Sequence, residues 1–120
     1  GHYTLVYFYP KDDTPGCTKE ACMIKEVYDD FKKLGVNVFG ISTDSPKSHL
    51  KFAQKYELPF TLLSDPEKTV IKTYGAAKMI GTARISYLID PEGIVIKVYP
   101  SVDPATHAET ILKDIYGLTV

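Results

Sequence analysis

Thr4-Leu5-Val6-Tyr7-Phe8-Tyr9-Pro10-Lys11-Asp12-Asp13-Thr14-Pro15-Gly16-Cys17 passes from an unbroken apolar run, through a cluster of turn formers, into a helix start. Thr4 to Tyr9 is rich in β-branched and aromatic residues. It reads as a buried central strand that stops at Pro10. Lys11 to Gly16 is a turn-forming loop. A helix follows, running to about Leu34 and closed by Gly35.

Working outward, Val36 to Ser42 is a second apolar strand, and Ser45-Pro46 opens a helix through about Tyr56. Phe60 to Leu63 is a short extended piece. Asp65-Pro66 starts a helix ending near Tyr74-Gly75, and Ala76 to Ala83 reads as loop. Ile85 to Ile89 and Ile94 to Tyr99 flank Asp90-Pro91-Glu92-Gly93, a hairpin signal. Asp103-Pro104 opens a last helix to about Tyr116. Strands that alternate with helices imply a parallel sheet built by right-handed crossovers. The terminal hairpin adds antiparallel strands. The expected fold class is α/β and thioredoxin-like, a central mixed β-sheet flanked by helices with the first strand in the middle.

The 120 residues suit one domain, 1–120, and 44% hydrophobic with 24% charged residues is an ordinary globular balance. A net charge of −1 gives no electrostatic reason to bind nucleic acid or an anionic membrane. No apolar run reaches the length of a membrane span. No basic-then-apolar leader opens the chain, so a cytoplasmic protein is expected, any targeting segment lying upstream of Gly1. Cys17 and Cys22 are the two cysteines. A chain of this length buries a core without a staple. A loop of five positions removes little unfolded-chain entropy, so a purely structural bridge would stabilise weakly. That tilts both cysteines toward chemistry.

Thr14 suits the N-cap and Pro15 the first helical position, which puts Cys17 in the first turn. Unpaired N–H groups point outward there and the dipole favours an anion, for a cysteine the attacking thiolate. Arg84, the single arginine of the chain, stands at the start of the strand expected antiparallel to Thr4–Tyr9. It should therefore reach Cys17 with a permanent, forked donor. A free thiol, with a pKa near ~8.5, is only a few per cent ionised at neutral pH, so complete ionisation gains at most about thirty-fold. A larger acceleration must come from the transition state. If sulfur attacks an electrophile, charge builds on the atom that leaves. Arg84, the Thr14 hydroxyl and the N–H groups of Gly16 and Cys17 are the donors that could receive it. Cys22 is turned about 140° from Cys17 on an ideal helix, with Cα atoms roughly 8–9 Å apart. Disulfides rarely bridge more than about 7 Å, so a Cys17–Cys22 bond requires the first turns to unwind.

These residues resemble the peroxiredoxin family, most closely its bacterioferritin-comigratory-protein or PrxQ branch, of the atypical 2-Cys type. Pro10, Thr14 and Cys17 match the family's Pro-x-x-x-Thr-x-x-Cys motif, and Arg84 with Ile85 to Asp90 matches the distant active-site arginine and its strand. Cys22 matches the branch's resolving cysteine, and Glu20 matches an acidic residue that helps order the site. Tyr7-Phe8-Tyr9-Pro10 and Thr61-Leu62-Leu63-Ser64-Asp65 also fit the branch. The family's usual N-terminal β-hairpin has no counterpart in this sequence. The resemblance implies reduction of hydrogen peroxide and organic hydroperoxides without metal, haem or flavin. It implies a Cys17 sulfenic acid, an intramolecular Cys17–Cys22 disulfide, and recycling by thioredoxin or a similar dithiol protein. A monomer is expected.

Lys47, Lys51 and Lys55 form an i,i+4 stripe, read as a solvated face. His49 and His107 are expected at the surface, away from Cys17, which argues against a Cys–His hydrolase. A thioredoxin-type disulfide oxidoreductase would want Cys-x-x-Cys. Two cysteines without neighbouring histidines support no closed zinc site.

Overall fold

The computed structural model describes residues 2–75, 84–100 and 103–119. The elements are β1 (Thr4–Phe8), α1 (Pro15–Glu26), α2 (Tyr28–Lys33), β2 (Asn37–Ser42), α3 (Pro46–Tyr56), β3 (Thr61–Ser64), α4 (Thr69–Thr73), β4 (Ser86–Ile89), β5 (Val95–Tyr99) and α5 (His107–Thr119). The sheet order is β3-β2-β1-β4-β5. β1 is central, parallel to β2 and antiparallel to β4. This is the thioredoxin-like arrangement expected from the element order. The loop expected over Ala76–Ala83 lies outside the described residues.

From Leu5 to Phe8, β1 is apolar and buried because both its faces are covered. Leu5, Tyr7 and Tyr9 join a large core with Cys17, Ala21 and Ile24 of α1, Phe31 of α2, Phe52 of α3, and Ile111 and Ile115 of α5. Val6 and Phe8 face the other way, onto Ile41 and Ile71. Gly40 makes room for Tyr7: a Cβ there would come within 2.7 Å of the ring Cζ. The Asp90–Gly93 turn is as expected. The Asp90 carboxylate accepts from the N–H groups of Glu92 and Ile94, and Gly93 has φ +86°.

Three helices depart from expectation, and the last opens at His107, not at Asp103-Pro104, because the Asp103 carbonyl first closes a turn by accepting from Thr106 and His107. The first does not run unbroken to Leu34. It ends at Val27 (φ −107°, ψ 10°), whose carbonyl accepts from Asp30 and Phe31 to start α2. Asp29 and Asp30 then stand in the first turn of α2, and Lys32 and Lys33 in its last. A break at Val27 gives those charges the favourable ends of a helix dipole. Similarly, α4 begins at Thr69, not at Asp65-Pro66. Lys68 adopts a left-handed backbone (φ 59°). The Asp65 carboxylate reaches past it to accept from the N–H groups of Thr69 and Ile71, which is where the helix can start with its donors satisfied.

Candidate active site

The β1–α1 connection turns sharply. Asp13 has φ 58°, and Thr14 is extended at the N-cap position. The Thr14 side chain does not cap the helix, contrary to expectation. Its hydroxyl instead donates to the Lys11 carbonyl at 2.9 Å, which closes the turn, while its own carbonyl accepts from Thr18 N–H. Pro15 carries no N–H and Thr18 is bonded. The outward donors at the head of α1 are therefore those of Gly16 and Cys17.

Cys17 is 2% exposed. Phe8 N–H donates to the Ile85 carbonyl at 2.8 Å, extending the antiparallel β1–β4 pairing so that Arg84 arrives over the head of α1. One arm of its guanidinium, Nη2, lies 3.4 Å from Cys17 Sγ. The other, Nη1, donates to Glu20 Oε1 at 2.8 Å. A Cβ on Gly16 would meet Nη2 at 3.1 Å, so the missing side chain lets the fork descend. The structure brings Cys17, Arg84, Glu20 and Gly16 into one cluster. Pro10 is exposed and stands two residues past the end of β1, at the start of the loop to α1. Cys22 is half-buried on the same helix, and both cysteines are free thiols. Cys17 to Cys22 lies wholly inside α1, so ideal helical separation holds them beyond disulfide reach.

Glu20 is buried and its Oε2 has no hydrogen-bond partner among the described residues. Burial pushes its carboxyl up to about 7, although the charge and hydrogen bond of Arg84 pull the other way. The fold thus favours the protonated acid. That contribution is complete below the ordinary value of 4.5 and is lost as pH rises through about 7. Glu20→Gln removes the titration. The melting temperature of the variant relative to wild type is expected to rise by several degrees between pH 5 and pH 8. An unchanged difference across that range would show that Glu20 does not titrate there.

Sequence reasoning missed the residues around this cluster. Tyr7 lies beneath it, its hydroxyl unpartnered among the described residues. Burial, then the charges of Glu20, Tyr9 and Cys17, hold its ionisation well above the ordinary range. His49 and His107 are not at the surface, contrary to expectation. His107 is buried, with Nε2 2.7 Å from Ser86 Oγ. Burial and then the Arg84 charge lower it to about 4, so it is neutral at pH 7. His49 is buried as well, against Asp12 and Tyr9. Periodicity held the signal: His49, Phe52 and Tyr56 share one helical stripe, and His107, Ile111 and Ile115 another. Lys47, Lys51 and Lys55 are exposed, as expected. Asp12, Asp44 and His49 bring donor atoms within 4.8 Å of one another. Those atoms are already engaged by protein donors and acceptors, so the grouping is a hydrogen-bond network and not an open cation site.

The sequence pattern of the AhpC/TSA family matches residues 1–98. The chain belongs to this family of peroxiredoxins. It is 48% identical to a putative peroxiredoxin bcp of Coxiella burnetii, over 93% of this chain and 80% of that protein. It is 46% identical to the chloroplastic peroxiredoxin Q of Populus jackii, over 98% of this chain and 57% of that one. Among solved structures, the bacterioferritin comigratory protein of Xanthomonas campestris superposes with a TM-score of 0.94 at 34% identity. That match covers 98% of this chain and 79% of the other. PrxQ of Xylella fastidiosa gives 0.96 at 30% identity, over 99% and 79%. This peroxiredoxin therefore falls in the bacterioferritin-comigratory-protein and PrxQ branch. It is a thiol peroxidase, with a peroxide as oxidant and a thiol as reductant. No helix among the described residues is long and apolar enough to cross a membrane.

Proposed function

We propose that Cys17 is the peroxide-reactive residue, and that the domain 1–120 runs an intramolecular two-cysteine cycle. The observation that carries this is the Arg84 fork, one arm on Cys17 Sγ and the other on buried Glu20. The Cys17 thiolate attacks one oxygen of a peroxide. The O–O bond breaks, Cys17 becomes a sulfenic acid, and the other oxygen leaves with the electron pair and takes a proton to give water or an alcohol. Arg84 Nη2 and the N–H groups of Gly16 and Cys17 receive the developing charge. The Thr14 proton is committed to Lys11, so the Thr14 oxygen acts here as an acceptor for the peroxide O–H. Pro10 and Thr14 fix the loop. Cys22 then attacks the sulfenic acid, water leaves, and a Cys17–Cys22 disulfide remains. Thioredoxin or a similar dithiol protein reduces it by exchange.

Hydrogen peroxide and organic hydroperoxides are the proposed substrates. The name of the solved Xanthomonas relative refers to alkyl peroxide reduction, which supports the second class. A monomer suffices for this cycle, since both cysteines come from one helix. A reducing compartment such as the cytoplasm suits it, because the disulfide must be reopened each turn. The chloroplastic names of the plant relatives mark a second such setting.

Arg84→Lys tests the site directly. A lysine is a point charge and cannot hold Cys17 and Glu20 at once. The expected result is about a 10²–10³-fold slower reaction with hydrogen peroxide by stopped flow, in the range seen when one oxyanion donor is lost. The loss should persist at a pH where thiols are ionised. If the high-pH rate matches wild type, Arg84 does not stabilise the transition state.

A further inference from the structure

The loop that carries the reactive cysteine into place is tied to the rest of the molecule by one buried carboxylate. Asp12 is 7% exposed. Its Oδ1 accepts from the Tyr9 hydroxyl at 2.6 Å. Its Oδ2 accepts from the Ser48 hydroxyl at 2.8 Å and lies 2.8 Å from His49 Nδ1. Its backbone N–H donates to Asp44 Oδ2 at 2.8 Å. The neighbouring Asp13 reaches exposed Lys55 and half-buried Tyr56 through bonds at the surface, and exposed pairs hold little.

His49 is 4% exposed and spans three elements. It stands on α3, faces the loop through Nδ1, and points Nε2 at the Leu63 carbonyl of β3 at 3.1 Å. A backbone carbonyl can only accept, so Nε2 carries a proton. Asp12 already accepts from Tyr9 and Ser48, as an ionised carboxylate does, so Nδ1 carries the other.

We propose that His49, as an imidazolium, is a positioning residue that clamps Asp12 and thereby sets where the head of α1 presents Cys17 to Arg84. This rests on the reading of Cys17 as the peroxide-reactive residue. Asp12 is three residues before Pro15, and Thr14 closes the stretch between them onto Lys11. A shift of Asp12 is therefore passed to the first turn of α1, where the 3.4 Å Arg84–Cys17 contact is made.

The titratable and charged groups facing His49 are Asp12 of the loop, Tyr9 just after β1 and Asp44 after β2. Lys47, Lys51 and Lys55 of its own helix are exposed to solvent. Burial alone would lower His49, but the hydrogen bond and charge of Asp12, the Leu63 carbonyl and the charge of Asp44 raise it above its ordinary 6.5. Burial likewise acts to raise Asp12, and its bonds from His49, Tyr9 and Ser48 leave it net below the ordinary carboxylate value. The clamp is therefore complete below about pH 6.5 on the histidine side and is released as pH rises through the raised value. On the other side it is lost only as pH falls through the lowered value of Asp12.

The test compares two neutral variants of the full chain, each matched in shape to one ring nitrogen. His49→Asn keeps an amide donor near the Nδ1 position, toward Asp12. His49→Gln keeps one near Nε2, toward Leu63. With hydrogen peroxide and no reductant, the rate of Cys17 oxidation at pH 7 is expected to fall about tenfold in the Gln variant, in keeping with the price of a small misplacement. The Asn variant should keep most of the rate, and melting temperatures should fall alike in both. Wild type should show a loss of rate at alkaline pH that neither variant shows. Nitrogen NMR of wild type should find both ring nitrogens of His49 protonated at pH 7. A neutral His49 ring in that spectrum, or a Gln variant as fast as wild type, overturns the clamp. A wild-type chain whose Cys17 does not react with peroxide overturns the underlying reading as well, whereas insensitive variants of a reactive chain overturn this inference alone.

Discussion

Cys17→Ser is expected to bring peroxide consumption down to the uncatalysed background. The rest of the site would remain: Arg84 would still pair with Glu20, and Gly16 would still leave room for the guanidinium. What disappears is the sulfur. A serine hydroxyl is weakly nucleophilic at its own pKa, and among the described residues no histidine at the head of α1 is placed as a base to activate it. Neutral His107 is bonded to Ser86, and His49 to Asp12. The substitution also puts a hydroxyl at a position 2% exposed. A hydrogen bond to Arg84 limits that penalty to about 1–2 kcal/mol. The variant should therefore fold, and its circular dichroism should show it. Peroxide loss with excess dithiol is the assay. Substantial residual turnover would mean that another group reacts.

Cys22→Ser has an effect of comparable size on turnover and a different signature. Cys22 is half-buried, so stability should change little. The first reaction with peroxide should proceed at the wild-type rate, because Cys22 takes no part in it. Turnover with thioredoxin should then stall, with sulfenic and later sulfinic acid accumulating at Cys17. In the proposed cycle the wild-type chain escapes this by an unwinding of the start of α1. It breaks the Thr18–Thr14 bond and its successors, each worth about 0.5–1.5 kcal/mol net. It also pulls Ala21 from the core and moves Glu20 relative to Arg84. A cost of a few kcal/mol is accessible on a catalytic timescale, yet it leaves a window in which a second peroxide can over-oxidise Cys17. Normal turnover by Cys22→Ser would remove Cys22 from the cycle.

Much of this was legible in the chain. The unbroken apolar run of Thr4 to Tyr9 announces a strand covered on both faces, and β1 is central. Given that, the hairpin after Gly75 dictates an antiparallel neighbour, and Arg84 falls over Cys17 by topology alone. Other features depend on long-range partners and are silent locally. Thr14 gives up helix capping because the Lys11 carbonyl lies within reach once Asp13 turns left-handed. Asp65 looks like the start of a helix and instead caps one that begins four residues later. His49 and His107 carry polar labels but lie on apolar stripes. Each is buried because a partner far along the chain, Asp12 or Ser86, satisfies it.

A one-chain cycle from Cys17 to Cys22 leaves its signature in a single turnover. Reduced protein is mixed with one equivalent of hydrogen peroxide by stopped flow, quenched with a thiol-blocking reagent, digested and weighed by mass spectrometry. A fast oxidation is expected, followed by one peptide pair, Cys17 bonded to Cys22 within a single chain, with no dimer on a non-reducing gel. A product in which Cys22 stays free while the chain is oxidised, or in which disulfides form only between chains, would contradict it.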